Sequence, residues 1–219
     1  MRGIAETMRV GLVLCTGLLA LAGCGGPKAL ALPDDPVERA ATCAIVTAAE
    51  ARVAVKDIND PLPVEAQGRI VHHALLAASA GGGFDAQTAN AVNKRMGEIK
   101  DQVTSGAWQT LIQPCRAAFP AAANDAPELP KNALDAELAC EHLAEFLANA
   151  LDAQGRYGGE VADYRRLRGR LNDRLASALK ARVGSGLAAQ QEAGRKALAR
   201  AASLGSPVAV MRLCADRFG

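Results

Sequence analysis

The sequence predicts an all-α protein made of two tandem, duplicated helical bundles of about four helices each, stapled by disulfides. Three observations carry this. Alanine and leucine dominate, and aromatics are only 3% of the chain. Such a composition suits close-packed helices and lacks the β-branched and aromatic alternation a β-sandwich needs. Apolar residues also recur at helical intervals: Val161, Tyr164, Leu167, Leu171, Leu175 and Leu179 fall on one stripe. Finally, the chain repeats itself. "SGAWQTLIQPCRAAF" and "LGSPVAVMRLCADRF" align at one offset, pairing Gly106 with Gly205, Cys115 with Cys214 and Phe119 with Phe218. The segments "AATCAIVTAAEARV" and "ELACEHLAEFLANA" open the two halves and pair Cys43 with Cys140.

Residues 1–23 carry Arg2 and Arg9 ahead of and beside an apolar run, Val10 to Ala22, that ends in small residues. A helix of that length rises only about 20 Å, short of a bilayer core of roughly 30 Å. The pattern is an export signal rather than a permanent span, and either Met1 or Met8 could start it. Leu21-Ala22-Gly23-Cys24 resembles the lipobox of bacterial lipoproteins. The resemblance implies diacylation of the Cys24 thiol and cleavage that leaves Cys24 as the first mature residue. Gly25 stands where Asp would favour inner-membrane retention, which implies the periplasmic face of the outer membrane.

The elements follow in order. Residues 24–34 form a Gly- and Pro-bearing membrane tether. Repeat 1 occupies 35–119, with helices over 36–56, 63–80, 85–103 and 106–118. Asp35, Pro36 and Glu38 open its first helix as an N-cap, a first-turn proline and a capping-box partner. Pro114 should kink its last helix. Residues 120–131 hold Pro120, Pro127 and Pro130 and form a linker. Repeat 2 occupies 132–219, with helices over 133–153, 159–183, 186–203 and 206–217. Gly81-Gly82-Gly83, Gly158-Gly159 and Gly184-Ser185-Gly186 supply breaks.

Cys15 leaves with the signal, and four cysteines remain for an oxidising compartment: Cys43, Cys115, Cys140 and Cys214. Three pairings are open to them. A unit that once folded alone would have closed its own bridge, so the repeat favours Cys43–Cys115 and Cys140–Cys214.

Sites of chemistry are sparse. Adjacent helical residues point about 100° apart, so His72 and His73 cannot easily clasp one metal, and they read as surface or half-buried residues. His142 and Glu145 share a face, but one such pair is not a di-metal set. No metal or cofactor is expected. Arg165, Arg166, Arg168, Arg170 and Arg174 crowd one helix. Arg166, Arg170 and Arg174 line up at four-residue spacing, as an anion or partner contact or as a solvated face balanced by Asp163 and Asp173. No phosphate loop, nucleophile elbow, zinc-protease signature or paired-carboxylate motif occurs, and no catalytic residue is assigned. The near-neutral charge of +2 argues against nucleic acid. The expected function is a membrane-anchored envelope lipoprotein with a non-catalytic binding or structural module. The alternative is a partner-specific accessory, such as an assembly pilot or toxin-immunity lipoprotein, and a periplasmic hydrolase comes third. Its partners would be the membrane, through the lipid, and an envelope protein.

Overall fold

The structure, a computed structural model, describes residues 30–57 and 59–219. The signal, Cys24 and most of the tether lie outside these residues. Among the described residues there are eight α-helices and no strand. They are α1 (Pro36–Val53), α2 (Val64–Ser79), α3 (Ala86–Ser105), α4 (Ile112–Ala118), α5 (Ala133–Asp152), α6 (Gly158–Val183), α7 (Leu187–Leu204) and α8 (Pro207–Phe218). None is long and apolar enough to cross a membrane.

Local chemistry sets the helix ends. Asp35 caps α1 by accepting from the Glu38 amide at 2.8 Å, a cap worth about 1 kcal/mol. Glu38 does not reach back as a capping-box partner. Its carboxylate instead pairs with Arg95 of α3 at 2.6 Å and ties two helices of the first half. Pro114 does more than kink a continuous helix. Its ring would clash with the carbonyl four residues earlier, so the preceding residues form a separate 3-10 turn, Trp108–Leu111. The α-helix then starts at Ile112, with Pro114 in a first turn that tolerates it.

Each half has its own buried cluster. The first gathers Cys43, Val46, Val92, Ile99, Val103 and Leu111, and Leu30 and Trp108 pack against it. The second gathers Leu143, Leu147, Leu171, Leu175, Val210 and Met211. The α6 stripe supplies it as expected: Leu167, Leu171 and Leu175 are buried, and Tyr164 and Leu179 pack against the cluster. A disulfide joins the first helix of each half to its last, Cys43–Cys115 and Cys140–Cys214. These are the pairings the repeat favours. Each closes a loop of just over 70 residues, for which chain entropy gives on the order of 4 kcal/mol.

The halves meet closely through α2. This helix packs on α1 and α3 of its own half and on α7 and α8 of the other. Leu75 of α2 belongs to the second half's core cluster. A Cβ on Gly68 would lie 2.5 Å from the Val208 side chain, so glycine is what lets α2 and α8 cross so closely. Tyr157 donates from its hydroxyl to the Leu62 carbonyl at 2.8 Å, and Arg212 pairs with Glu65. The stretch 120–131 packs as well. Pro120–Ala123 is a 3-10 turn against α2, α4 and α7. The Asn124 carbonyl accepts from Ser206 and its carboxamide donates to Leu204, pinning this stretch to the α7–α8 corner. Gly205 sits there at φ +152° with its Cα facing Asn124, a conformation and a distance that leave no room for a side chain.

Candidate functional site

The seam between the halves is closed along α2 but open above it. α3 forms one wall and α5 with α7 the other, and α3 packs on neither of them. The resulting cleft holds about 1090 Å³. On α5 the lining runs from His142 through Glu145, Phe146 and Asn149 to Ala150, and Ala153 and Gln154 continue it just past the helix end. From His142 to the helix end at Asp152, at 1.5 Å per residue, that wall is about 15 Å long. α3 contributes Asn90, Asn93 and Met96, and α7 contributes Gln191, Glu192 and Leu198.

Helical periodicity explains the lining. Positions 142, 145, 146, 149 and 150 fall three to four residues apart around the helix and so share one face of α5. The floor is apolar: Val71 of α2, Phe84 from the α2–α3 turn, Phe146 and Leu198. Phe84 and Phe146 meet edge to face, with ring centroids 5.8 Å apart. The Phe84 amide donates to the Arg195 carbonyl at 3.0 Å and bridges the two walls at one end. The rim is polar. Among the described residues, no hydrogen bond engages the carboxamides of Asn90, Asn93, Asn149, Gln154 or Gln191.

Beside the cleft lies a charged knot. His142 Nδ1 is 2.9 Å from Glu141 and 4.0 Å from Glu145. Arg168 of α6 reaches both carboxylates, at 3.1 and 2.9 Å. Burial pushes the Glu141 carboxyl up, but His142 and Arg168 outweigh it and hold the carboxyl below its usual range. Glu141, His142 and Glu145 bring three donor atoms close enough to share one cation. Arg168 engages the Oε1 atom of each carboxylate and His142 faces the Oε2 atoms, so the fixed positive charge of the guanidinium already balances part of the knot. Gly194 of α7 makes room for the imidazole: a Cβ there would lie 2.6 Å from the His142 ring.

The two neighbouring histidines differ from expectation. Neither is surface-exposed or half-buried: His72 is 0% exposed and His73 2%. α2 is enclosed on both sides, which places even residues about 100° apart in protein. His72 Nε2 donates to the Ala202 carbonyl of α7 at 2.8 Å, across the seam. His73 Nε2 lies 2.9 Å from the Thr47 hydroxyl, and its ring meets Phe119 edge-on at 5.1 Å. Both Nδ1 atoms are buried without partners. Burial lowers the His72 pKa to about 4; burial and then the charge of His72 lower that of His73 to about 3. Both are therefore neutral near pH 7. His73 also borders a cavity of about 500 Å³, at which Arg69 pairs with Asp125 and Arg116 with Glu50.

The arginines of α6 divide. Arg165 pairs with Asp152, Arg166 with Asp163, and Arg168 with the charged knot. Arg170 and Arg174 are exposed and have no carboxylate partner among the described residues. Asp173, offered as a balancing charge, pairs with none of them. Arg166 and Arg170 border one pocket with Asp163, Tyr164 and Arg212, and neither Arg174 nor a histidine lines it. Of the cleft residues, the sequence singled out only His142 and Glu145, as a pair sharing one helix face; the rest carried no signal, because which polar face meets which is decided by tertiary packing.

No protein-family model, no curated protein and no solved structure matches this chain.

Proposed function

We propose that the chain is an envelope lipoprotein, anchored through Cys24 at the periplasmic face of the outer membrane, whose folded body is a non-catalytic binding module. The observation that carries this reading is the cleft between α3 and the α5–α7 wall. It is the largest of the described cavities, apolar at its floor and polar at its rim, the form most ligand sites take. Leu21-Ala22-Gly23-Cys24 supports the anchor. Leu30 already packs against Gly106, so only the few residues between Cys24 and Leu30 would separate the body from the bilayer. At about 3.5 Å per residue that is on the order of 20 Å. The matching bridges of the two halves support an origin by duplication, with the halves since fused along α2.

A second reading, docking onto an acidic protein face, is favoured by Arg170 and Arg174, which lack carboxylate partners among the described residues. One experiment separates the two. A benzophenone amino acid is placed at Asn149 in the cleft or at Arg170 on α6, and cells are irradiated. The cleft reading expects one defined adduct from position 149 that disappears when Ala150→Trp fills the cleft. An adduct from position 170 alone would transfer the function to the arginine face.

A further inference from the structure

The class of ligand can be read from the cleft, on the premise that the cleft is the binding site proposed above. We infer that it binds an extended, uncharged peptide segment, with alternate apolar side chains on the floor and the backbone held by Asn90, Asn93, Asn149 and Gln191.

Four observations lead there. The first is the rim. Its carboxamides are exposed to water and make no hydrogen bond to another described residue, so a ligand that covers them must replace the water they bind. Each one left unmatched would weaken binding on the order of tenfold. An acyl chain offers them nothing. A peptide backbone offers alternating N–H and C=O groups, which satisfy both ends of a carboxamide. The second is charge. Glu192 is already paired with Arg195 and Lys196, and Glu145 with Arg168, so the rim selects for neither sign. The third is length. The α5 wall of about 15 Å matches four or five residues of extended chain at about 3.3 Å each. Their alternation sends two or three side chains to the floor, where Val71, Phe146 and Leu198 lie. The fourth is form. A helical ligand would satisfy its own backbone and leave the carboxamides unpaired, so the segment is extended.

The test uses ¹⁵N-labelled mature protein and three probes. One is a pool of acetylated, amidated hexapeptides with Leu, Val or Phe alternating with Ser or Ala; the others are palmitate and a chitotetraose. The peptides should move the side-chain amide resonances of Asn90, Asn93, Asn149 and Gln191. Asn93→Ala with Asn149→Ala should weaken the best peptide about tenfold or more. Ala150→Trp should abolish binding, with the melting transition of each variant confirming its fold. Peptide binding that ignores the two asparagine substitutions would overturn the backbone assignment. If palmitate or the chitotetraose moves these resonances, loses that effect with Ala150→Trp, and the peptides do nothing, the peptide assignment falls while the cleft stands as a binding site. If no probe perturbs the cleft, the peptide assignment also falls, and crosslinking from position 149 judges the wider reading separately.

Discussion

Lowering the pH from 7 to 5 should remove a large part of this protein's stability through two side chains. His72 and His73 are buried in α2, with pKa values lowered from 6.5 to about 4 and about 3. A depressed folded-state pKa means the unfolded chain binds protons that the folded chain refuses. The associated stability is therefore complete above pH 6.5 and is lost as pH falls toward 4 and then 3. Between pH 7 and 5 each imidazole accounts for about 2 kcal/mol, so the pair accounts for about 4 kcal/mol. Domains of this kind are stable by only about 5–15 kcal/mol. No carboxylate compensates. The charges bordering the His73 cavity, Glu50, Arg69, Arg116 and Asp125, are already paired with one another. His72 faces the Ala202 carbonyl and can keep that bond in either protonation state. Urea titrations at pH 7, 6 and 5 measure the effect, and the same series on His72→Gln/His73→Gln assigns it. The wild type should lose about 4 kcal/mol and the double variant should lose little. A flat profile, or an equal slope in the variant, would refute the burial argument.

Much of the fold was legible in the sequence, because local chemistry specifies it. The Ala- and Leu-rich periodicity marked all eight helices, and the Asp35 cap and the glycine breaks set their ends to within a few residues except at α4, expected from 106 and found to begin at Ile112. The resemblance between the segments around the cysteines pointed to both bridges. What local patterning does not encode is how the halves meet. Gly68 reads as an ordinary helix weakener until Val208 is found against it. His72 reads as polar until α7 closes over it. Glu38 looks like a capping partner until Arg95 competes for it with a full charge. The cleft was invisible for the same reason. Its polar residues come from three helices in two halves, and each taken singly resembles a solvated face.

The seam can be tested by substitution. Gly68→Ala should cost about 1–3 kcal/mol by forcing α2 and α8 apart, visible as a lower denaturation midpoint; an unchanged midpoint would mean Val208 yields freely. Tyr157→Phe leaves the buried Leu62 carbonyl unpaired and should cost about 1 kcal/mol, read by the same titration. Replacing Cys140 and Cys214 together by Ala should cost about 2–5 kcal/mol, and a variant as stable as the parent would deny the bridge its role. Intact mass should show a diacylated N-terminal Cys24, and Cys24→Ala should leave the membrane fraction or remain unprocessed; wild-type protein that is soluble and begins elsewhere would end the lipoprotein reading.

Hydrogen exchange on the protein in native membrane vesicles, compared with the same protein after purification, tests the binding cleft most directly. If the cleft is occupied in the cell, exchange should be slower in vesicles in peptides from its walls, residues 86–97, 142–154 and 188–198, with α6 unchanged. Equal exchange along those walls, or protection confined to α6, would contradict the assignment of the cleft as the place where this protein binds.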